Sequence, residues 1–241
     1  MLFSIITTDF KKLGVVGGLG PAASVRFYEM LVDFTAAERD CDHIDAIIYS
    51  RASVPDRTAY LLGESQKSPV LPIIETIHML ESLNADYIAI PCITAHSFYG
   101  ELQSAAKVPV INMVEETAKS LSKAGIKRAG IMATSGTSKS GIMQKALEAY
   151  EIEAVLPDPD GQDVIMQIIN DIKAAKVIEH SVFKAQSDKL LEAGAENIVL
   201  SCTELSLLKR YFDLDSTHTD AMEVLAKRSI ELCGAKLKEV L

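Results

Sequence analysis

Cys92, in Ile90-Pro91-Cys92-Ile93-Thr94-Ala95-His96, and Cys202, in Leu200-Ser201-Cys202-Thr203-Glu204, occupy matching local contexts. Each follows an apolar run of strand character. Each precedes Thr and small or polar residues that suit a helix start. A thiol at the carboxyl end of a strand stands where α/β proteins bind ligands. A helix N-terminus facing it stabilises the thiolate and lowers a thiol pKa of about 8.5 toward neutrality. That is the range in which a side chain works as a general base. Two such cysteines, one in each half of the chain, predict a pair of thiols facing one small substrate.

Other residues fall on the same rim. Gly17-Gly18-Leu19-Gly20-Pro21 follows the first apolar run. Glycines there allow a tight turn and close backbone approach to a ligand, and Pro21 suits the first turn of a helix. The spacing is not the G-x-G-x-x-G of a dinucleotide site, and the second run ends Tyr49-Ser50-Arg51, with no acidic residue for a ribose. Arg57, in Ser53-Val54-Pro55-Asp56-Arg57-Thr58, could hold a carboxylate in bidentate fashion. On local sequence alone, a surface pair with Asp56 or Glu64 is the stronger reading. Cys92 and His96 have the i, i+4 spacing of a metal half-site, but zinc needs further ligands. His43, His78, His180 and His218 are scattered, so no metal is expected.

These residues need elements to position them. Apolar runs of strand character lie at Leu13 to Val16, Ile44 to Tyr49, Tyr87 to Ile90, Val108 to Ile111, Arg128 to Ala133, Ile152 to Val155 and Asn197 to Leu200, with a weak one near Leu214. Between them, residues 25–34, 73–83, 142–150, 164–172 and 222–232 carry apolar residues at helical spacing. Alternating strands and helices predict parallel sheets built from right-handed βαβ units. The opening Leu13-Gly14-Val15-Val16-Gly17-Gly18 resembles Ala129-Gly130-Ile131-Met132-Ala133-Thr134, and each cysteine follows its opening at a similar distance. The expected fold is therefore α/β, with two pseudo-symmetric lobes. Each lobe is a mainly parallel four-stranded sheet flanked by helices, and the site lies in the cleft between them. The lobes are expected at residues 1–112 with 214–241, and at 113–213. The last helix should return to the first lobe.

The chain has 241 residues, 48% of them hydrophobic, enough for a sizeable core. A net charge of −9 argues against a nucleic-acid partner. It does not exclude an anionic small molecule held by local cations. Four cysteines, none in a C-x-x-C pair, are too few for a disulfide scaffold. Leu2 to Thr8 reads as an extension or strand rather than a secretory signal, because no basic residue precedes it. No apolar stretch reaches the length of a membrane span. A cytoplasmic protein is expected.

The motifs together resemble the cofactor-independent aspartate/glutamate racemase family. They are Gly17-Gly18-Leu19-Gly20-Pro21, Pro55-Asp56-Arg57-Thr58, Pro91-Cys92-x-Thr94-Ala95-His96, Glu115-Glu116-Thr117-Ala118, Ala133-Thr134-Ser135-Gly136-Thr137 and Cys202-Thr203-Glu204. The similarity runs from about Leu13 to about Cys233, and Glu204 points to the aspartate-type branch. The resemblance implies a racemase for an acidic amino acid, aspartate or glutamate. Cys92 and Cys202 would serve as acid and base, with no cofactor and in a homodimer. It implies that Arg57 and Lys173 meet the side-chain carboxylate and that the backbone at Ile93, Thr94 and Ala95 receives the α-carboxylate. Leu19 would close the pocket, and Thr134, Thr137, Thr203 and Glu204 would line the opposite wall.

The sequence departs from the family at several points. Ile93 replaces the usual Asn, whose amide would stabilise charge left by the departing α-proton; losing one such donor costs on the order of 3 kcal/mol. Ser201 replaces the usual Gly before the second cysteine, and His218 does not align with the family's late histidine. Two other functions stay open: a decarboxylase or isomerase of small dicarboxylates, and a binding protein without turnover.

Overall fold

The computed structural model describes residues 10–239, so the expectation for Leu2 to Thr8 falls outside the described residues. Two parallel sheets are present. The first holds β1 (Leu13–Gly17), β2 (Ala46–Ser50) and β3 (Tyr87–Ala89) in the order β2-β1-β3. The second holds β4 (Arg128–Ala133), β5 (Glu153–Val155), β6 (Asn197–Ser201) and β7 (His218–Asp220) in the order β5-β4-β6-β7. The first three strands of each half are thus arranged alike, as the duplicated openings predict.

The fourth position of the first sheet differs from expectation. Residues 108–111 make no strand; Val110 forms only an isolated parallel bridge to Ile88. Pro109 interrupts this run, and a proline has no N–H to give a ladder. Its carbonyl accepts from Ile88, and Ile111 donates back to Ile88, after which the pairing ends. The first sheet therefore has three strands. The strand expected near Leu214 lies at His218–Asp220 instead and pairs with β6. The chain leaves the second sheet after Asp220, later than the crossing expected near Asp213.

Among the described residues ten α-helices connect and cover the sheets. In the first half they are α1 (Pro21–Phe34), α2 (Arg57–Leu62), α3 (Val70–Ser82) and α4 (Tyr99–Ala105). Then come α5 (Met113–Lys123), α6 (Ser135–Ser140), α7 (Ile142–Ala149), α8 (Pro159–Lys173), α9 (His180–Glu192) and α10 (Ala221–Leu232). All five helices expected from periodicity are present. The short α2, α4 and α6 carry too few turns to show a period.

Both faces of the central strands are buried, so their residues alternate between two cores, while the edge strand β2 stays half-exposed. Val15 of β1 and Ile131 of β4 face one shared core with Phe27, Met222 and Leu225. Val16 faces an outer core with Ile73, Ile77 and Ile90; Met132 faces another with Ile165, Ile169 and Phe183. Helix α10 packs on both α1 and α5. Each fully buried Leu or Ile contributes about 1.5–3 kcal/mol, and the shared core makes the two halves one stable unit. Its rigidity fixes the strand ends opposite one another. Arg210, the last residue of the 3₁₀ turn Leu205–Arg210 that follows β6, also pairs with Glu29 of α1.

Candidate active site

The carboxyl ends of β1 and β3 from one half, and of β4 and β6 from the other, meet around a small chamber. Cys92 and Cys202 both line it, each about one-twentieth exposed. Both are free thiols. Leu19, Arg57, Ile93, Thr94, Thr134, Lys173, Thr203 and Glu204 share the lining. Of the residues expected from the sequence, Ala95 and Thr137 are absent from the wall; both are fully buried, Ala95 in the outer core of the first half. The local sequence of Asp56 and Thr58 did not announce them, yet both line the chamber. They arrive with the Pro55-Asp56-Arg57-Thr58 turn, where Asp56 caps α2 by accepting from Ala59 N–H at 2.9 Å.

Cys92 follows β3 with extended backbone (φ −160°, ψ 105°) and caps a 3₁₀ helix, Ile93–Phe98. His96 secures this turn. Its Nδ1 lies 2.9 Å from the Cys92 carbonyl oxygen, and Met113 N–H donates to its Nε2 at 3.2 Å. The Met113 bond makes Nε2 the acceptor, so Nδ1 carries the hydrogen and donates to Cys92. Complete burial pushes the His96 pKa down and keeps the ring neutral. With both nitrogens engaged by backbone, His96 is a brace for the Cys92 turn rather than half of a metal site.

Cys202 stands just beyond β6 in a different environment. Its Sγ donates to Glu204 Oε2 at 3.0 Å. Burial, and then the Glu204 charge, push the thiol pKa well above its ordinary value; Lys173 works in the opposite direction. The sequence-based expectation of a thiol acidified by a helix N-terminus is therefore reversed here. The helix after Cys202 is a 3₁₀ turn that begins only at Leu205, and the Glu204 carboxylate lies beside the sulfur instead.

Arg57 opens α2 and reaches across to the Gly-rich turn. Its Nη2 donates to Leu19 O at 2.8 Å and its Nη1 to Pro55 O at 3.1 Å. Its buried Nε has no hydrogen-bond partner among the described residues. An orphaned buried donor costs free energy, so one N–H remains for a ligand. No ion pair of Arg57 with Asp56 or Glu64 forms among the described residues, which answers the alternative that local sequence favoured. The Gly-rich turn itself works through Gly18, whose φ of +86° brings its backbone against Arg51. Lys173 closes the other side from the last residue of α8, where a cation suits the helix C-terminus.

Three threonine hydroxyls tie the halves together behind the chamber. Thr94 Oγ1 lies 3.2 Å from Thr134 Oγ1 and 3.0 Å from Thr137 Oγ1, and Thr134 and Thr137 are 3.1 Å apart. Thr134 also caps α6 by accepting from Thr137 N–H at 3.1 Å. The contact depends on Gly136, because a Cβ there would stand 2.9 Å from Thr58 Cα. Thus α6 of the second half touches α2 of the first backbone to backbone. His218 is not at the site; it bonds Ser187 Oγ at 2.8 Å between β7 and α9. Ser201 is fully buried, and its hydroxyl has no partner among the described residues.

The chamber is nearly shut, with about 10 Å³ of free volume, room for one water at most. Beside it opens an outer cavity of about 470 Å³. The two share Asp56, Arg57, Lys173 and Glu204, a wall of four charged side chains. At about 10 Å³ the chamber in this conformation does not hold an amino acid. Among the described residues no helix is long and apolar enough to cross a membrane.

The chain is 28% identical to the broad specificity amino-acid racemase RacX of Bacillus subtilis, over 90% of this chain and 96% of that protein. It superimposes on the aspartate racemase of Picrophilus torridus with a TM-score of 0.80 at 31% identity, over 95% of this chain and 96% of the other. Glutamate racemase of Francisella tularensis in complex with D-glutamate shares the fold, with a TM-score of 0.64 at 18% identity, over 93% and 81% of the two chains. The model of the Asp/Glu/Hydantoin racemase family matches residues 16–228, and the chain belongs to that family.

Proposed function

We propose that the protein is a cofactor-independent amino-acid racemase that interconverts the L- and D-forms of an acidic amino acid, aspartate or glutamate. One observation carries the reading: two free thiols, from equivalent strand ends of two similar halves, line one chamber together with Arg57 and Lys173. A racemase must remove a proton from one face of Cα and return one to the other. Two thiols on opposite walls supply one group for each face, and no further chemistry is required.

In one direction the Cys92 thiolate takes the α-proton while the Cys202 thiol delivers a proton to the opposite face. The roles exchange in the reverse direction. Arg57 presents its free Nε–H to the side-chain carboxylate, and Lys173 adds a second positive charge. The α-carboxylate lies against the backbone after Cys92 and the hydroxyls of Thr94, Thr134 and Thr203. Closure of the chamber excludes water, which strengthens each of these interactions.

A decarboxylase would need an acid on one face only, so paired thiols favour the racemase. A homodimer fits the exposed apolar side of α1, where Val25, Tyr28 and Val32 flank the open sheet edge at β2. Cytoplasmic residence fits the free thiols. The deciding experiment is proton NMR of candidate amino acids in D2O with the purified protein. Loss of the α-proton signal from aspartate or glutamate is expected. No exchange with any amino acid would sink the proposal.

A further inference from the structure

The fold repeats itself, but the chemistry at the two strand ends does not. Cys92 and Cys202 leave β3 and β6, which hold equivalent places in the two sheets. Two residues further on, the first half carries Thr94 and the second carries Glu204. Thr94 spends its hydroxyl on Thr134 and Thr137. Glu204 turns back on its own cysteine and accepts the thiol hydrogen at 3.0 Å, with both residues buried.

We propose that Glu204 is a positioning residue that holds Cys202 as the thiol in the resting enzyme, so that one of the two free-enzyme forms predominates. The inference rests on the two-thiol reading above. In the favoured form Cys92 is the base and Cys202 the acid. The Cys92 thiolate bonds the α-proton, and the C–H electron pair stays on the substrate. Cα then takes the Cys202 proton, whose S–H pair stays on sulfur. Product leaves behind a Cys202 thiolate beside the Glu204 carboxylate, two like charges in a water-poor chamber. Lys173 and Arg57 oppose that repulsion, while Asp56 adds to it; these are the charged groups that face the thiol across the chamber.

The consequence is directional. The enantiomer that needs the Cys202 thiolate binds only the minor form, so its apparent affinity falls by the fraction of enzyme in that form. Enantiomers have equal free energy, so kcat/KM is the same in both directions. The asymmetry therefore shows as a paired increase of KM and kcat for that enantiomer.

The test reads the thiols directly. Wild-type protein and Glu204→Gln are treated with methyl methanethiosulfonate across a pH series, and labelling of each cysteine is followed by peptide mass spectrometry. In the wild type, Cys202 should reach half its maximal rate at a higher pH than Cys92. In Glu204→Gln the Cys202 midpoint should fall, giving about tenfold or more labelling at a fixed pH, while the Cys92 midpoint stays put. The KM ratio of the two enantiomers should move toward one in the variant. Coincident midpoints in the wild type, a Cys202 midpoint unmoved by the substitution, or an unchanged KM ratio would each overturn the inference. If Glu204→Gln fails to fold by circular dichroism, the wild-type comparison of the two cysteines decides. If no amino acid exchanges its α-proton, the racemase reading fails, and the labelling still judges Glu204.

Discussion

Thr94 of the first half and Thr137 of the second share a buried hydrogen bond of 3.0 Å, and Thr134 completes a triangle of hydroxyls with them. This triangle is the polar contact that locks the two halves directly behind the chamber. Thr137→Val keeps the shape but leaves two buried hydroxyls short of a partner. It should destabilise the fold by about 1–3 kcal/mol, read as a lower Tm. Thr134→Ala should cost about 1 kcal/mol more through loss of the α6 cap. A Tm unchanged in Thr137→Val would show that the triangle holds nothing.

Arg57 lines the chamber, donates from Nη2 to the Leu19 carbonyl, and keeps a buried Nε with no partner among the described residues. Arg57→Lys keeps the charge but loses the fork. A hydrogen bond to a charged group contributes about 1.5–3 kcal/mol, so kcat/KM for aspartate should fall about tenfold to hundredfold. Alanine, with no side-chain carboxylate, should be affected far less. Equal losses for both substrates would mean that Arg57 only closes the turn at Leu19.

Ile93 lies in the chamber wall, 1% exposed. Ile93→Asn should raise kcat with little change in KM if its amide meets charge that develops only in the transition state. A single such donor is worth about 10²–10³ in rate. The opposite result, a lower kcat together with alanine turned over as well as aspartate, would place the enzyme among racemases of apolar amino acids.

Of the two remaining cysteines, Cys41 is exposed, whereas Cys233 is fully buried in the shared core with its thiol pKa pushed up to about 12 by burial. Cys41→Ser should be neutral in stability and activity. Cys233→Ser puts a hydroxyl into an apolar core and should cost about 1–3 kcal/mol without altering KM; Cys233→Ala should cost less than the serine. Loss of turnover in a folded Cys233→Ala protein would contradict the assignment of acid and base to Cys92 and Cys202.

Asp220 caps α10 and accepts from Ser206 Oγ at 2.6 Å, yet burial raises its pKa to about 6. The folded carboxyl thus holds its proton more tightly than the unfolded one, near 3.9. Its contribution to stability is complete below about pH 4 and is lost as pH rises through about 6, a change of about 3 kcal/mol. Asp220→Asn removes that titration and keeps an acceptor for the cap. Its Tm relative to wild type should therefore rise between about pH 4.5 and about pH 7.5. A difference flat across that range would show that Asp220 does not titrate there.

The sequence by itself determined six of the strands, five of the helices, the duplication, and the placement of both cysteines at strand ends. These are local properties: apolar runs, glycine turns and helical periods are written in neighbouring residues. Motif resemblance carried Arg57, Lys173 and the threonines to the site as well, and all of these except Thr137 line the chamber, which Thr137 backs through the hydroxyl triangle. Only the tertiary structure decided what depends on pairing across distance. Pro109 reduced an expected strand to one bridge because the ladder needs an N–H at a particular register. His96 became a brace because Met113 met its second nitrogen. The state of the Cys202 thiol was decided by the direction in which the Glu204 side chain folds back, and by burial that removes water from both. A linear sequence specifies which charges exist; their distances and the solvent around them, which set the energies, arise only when the halves close.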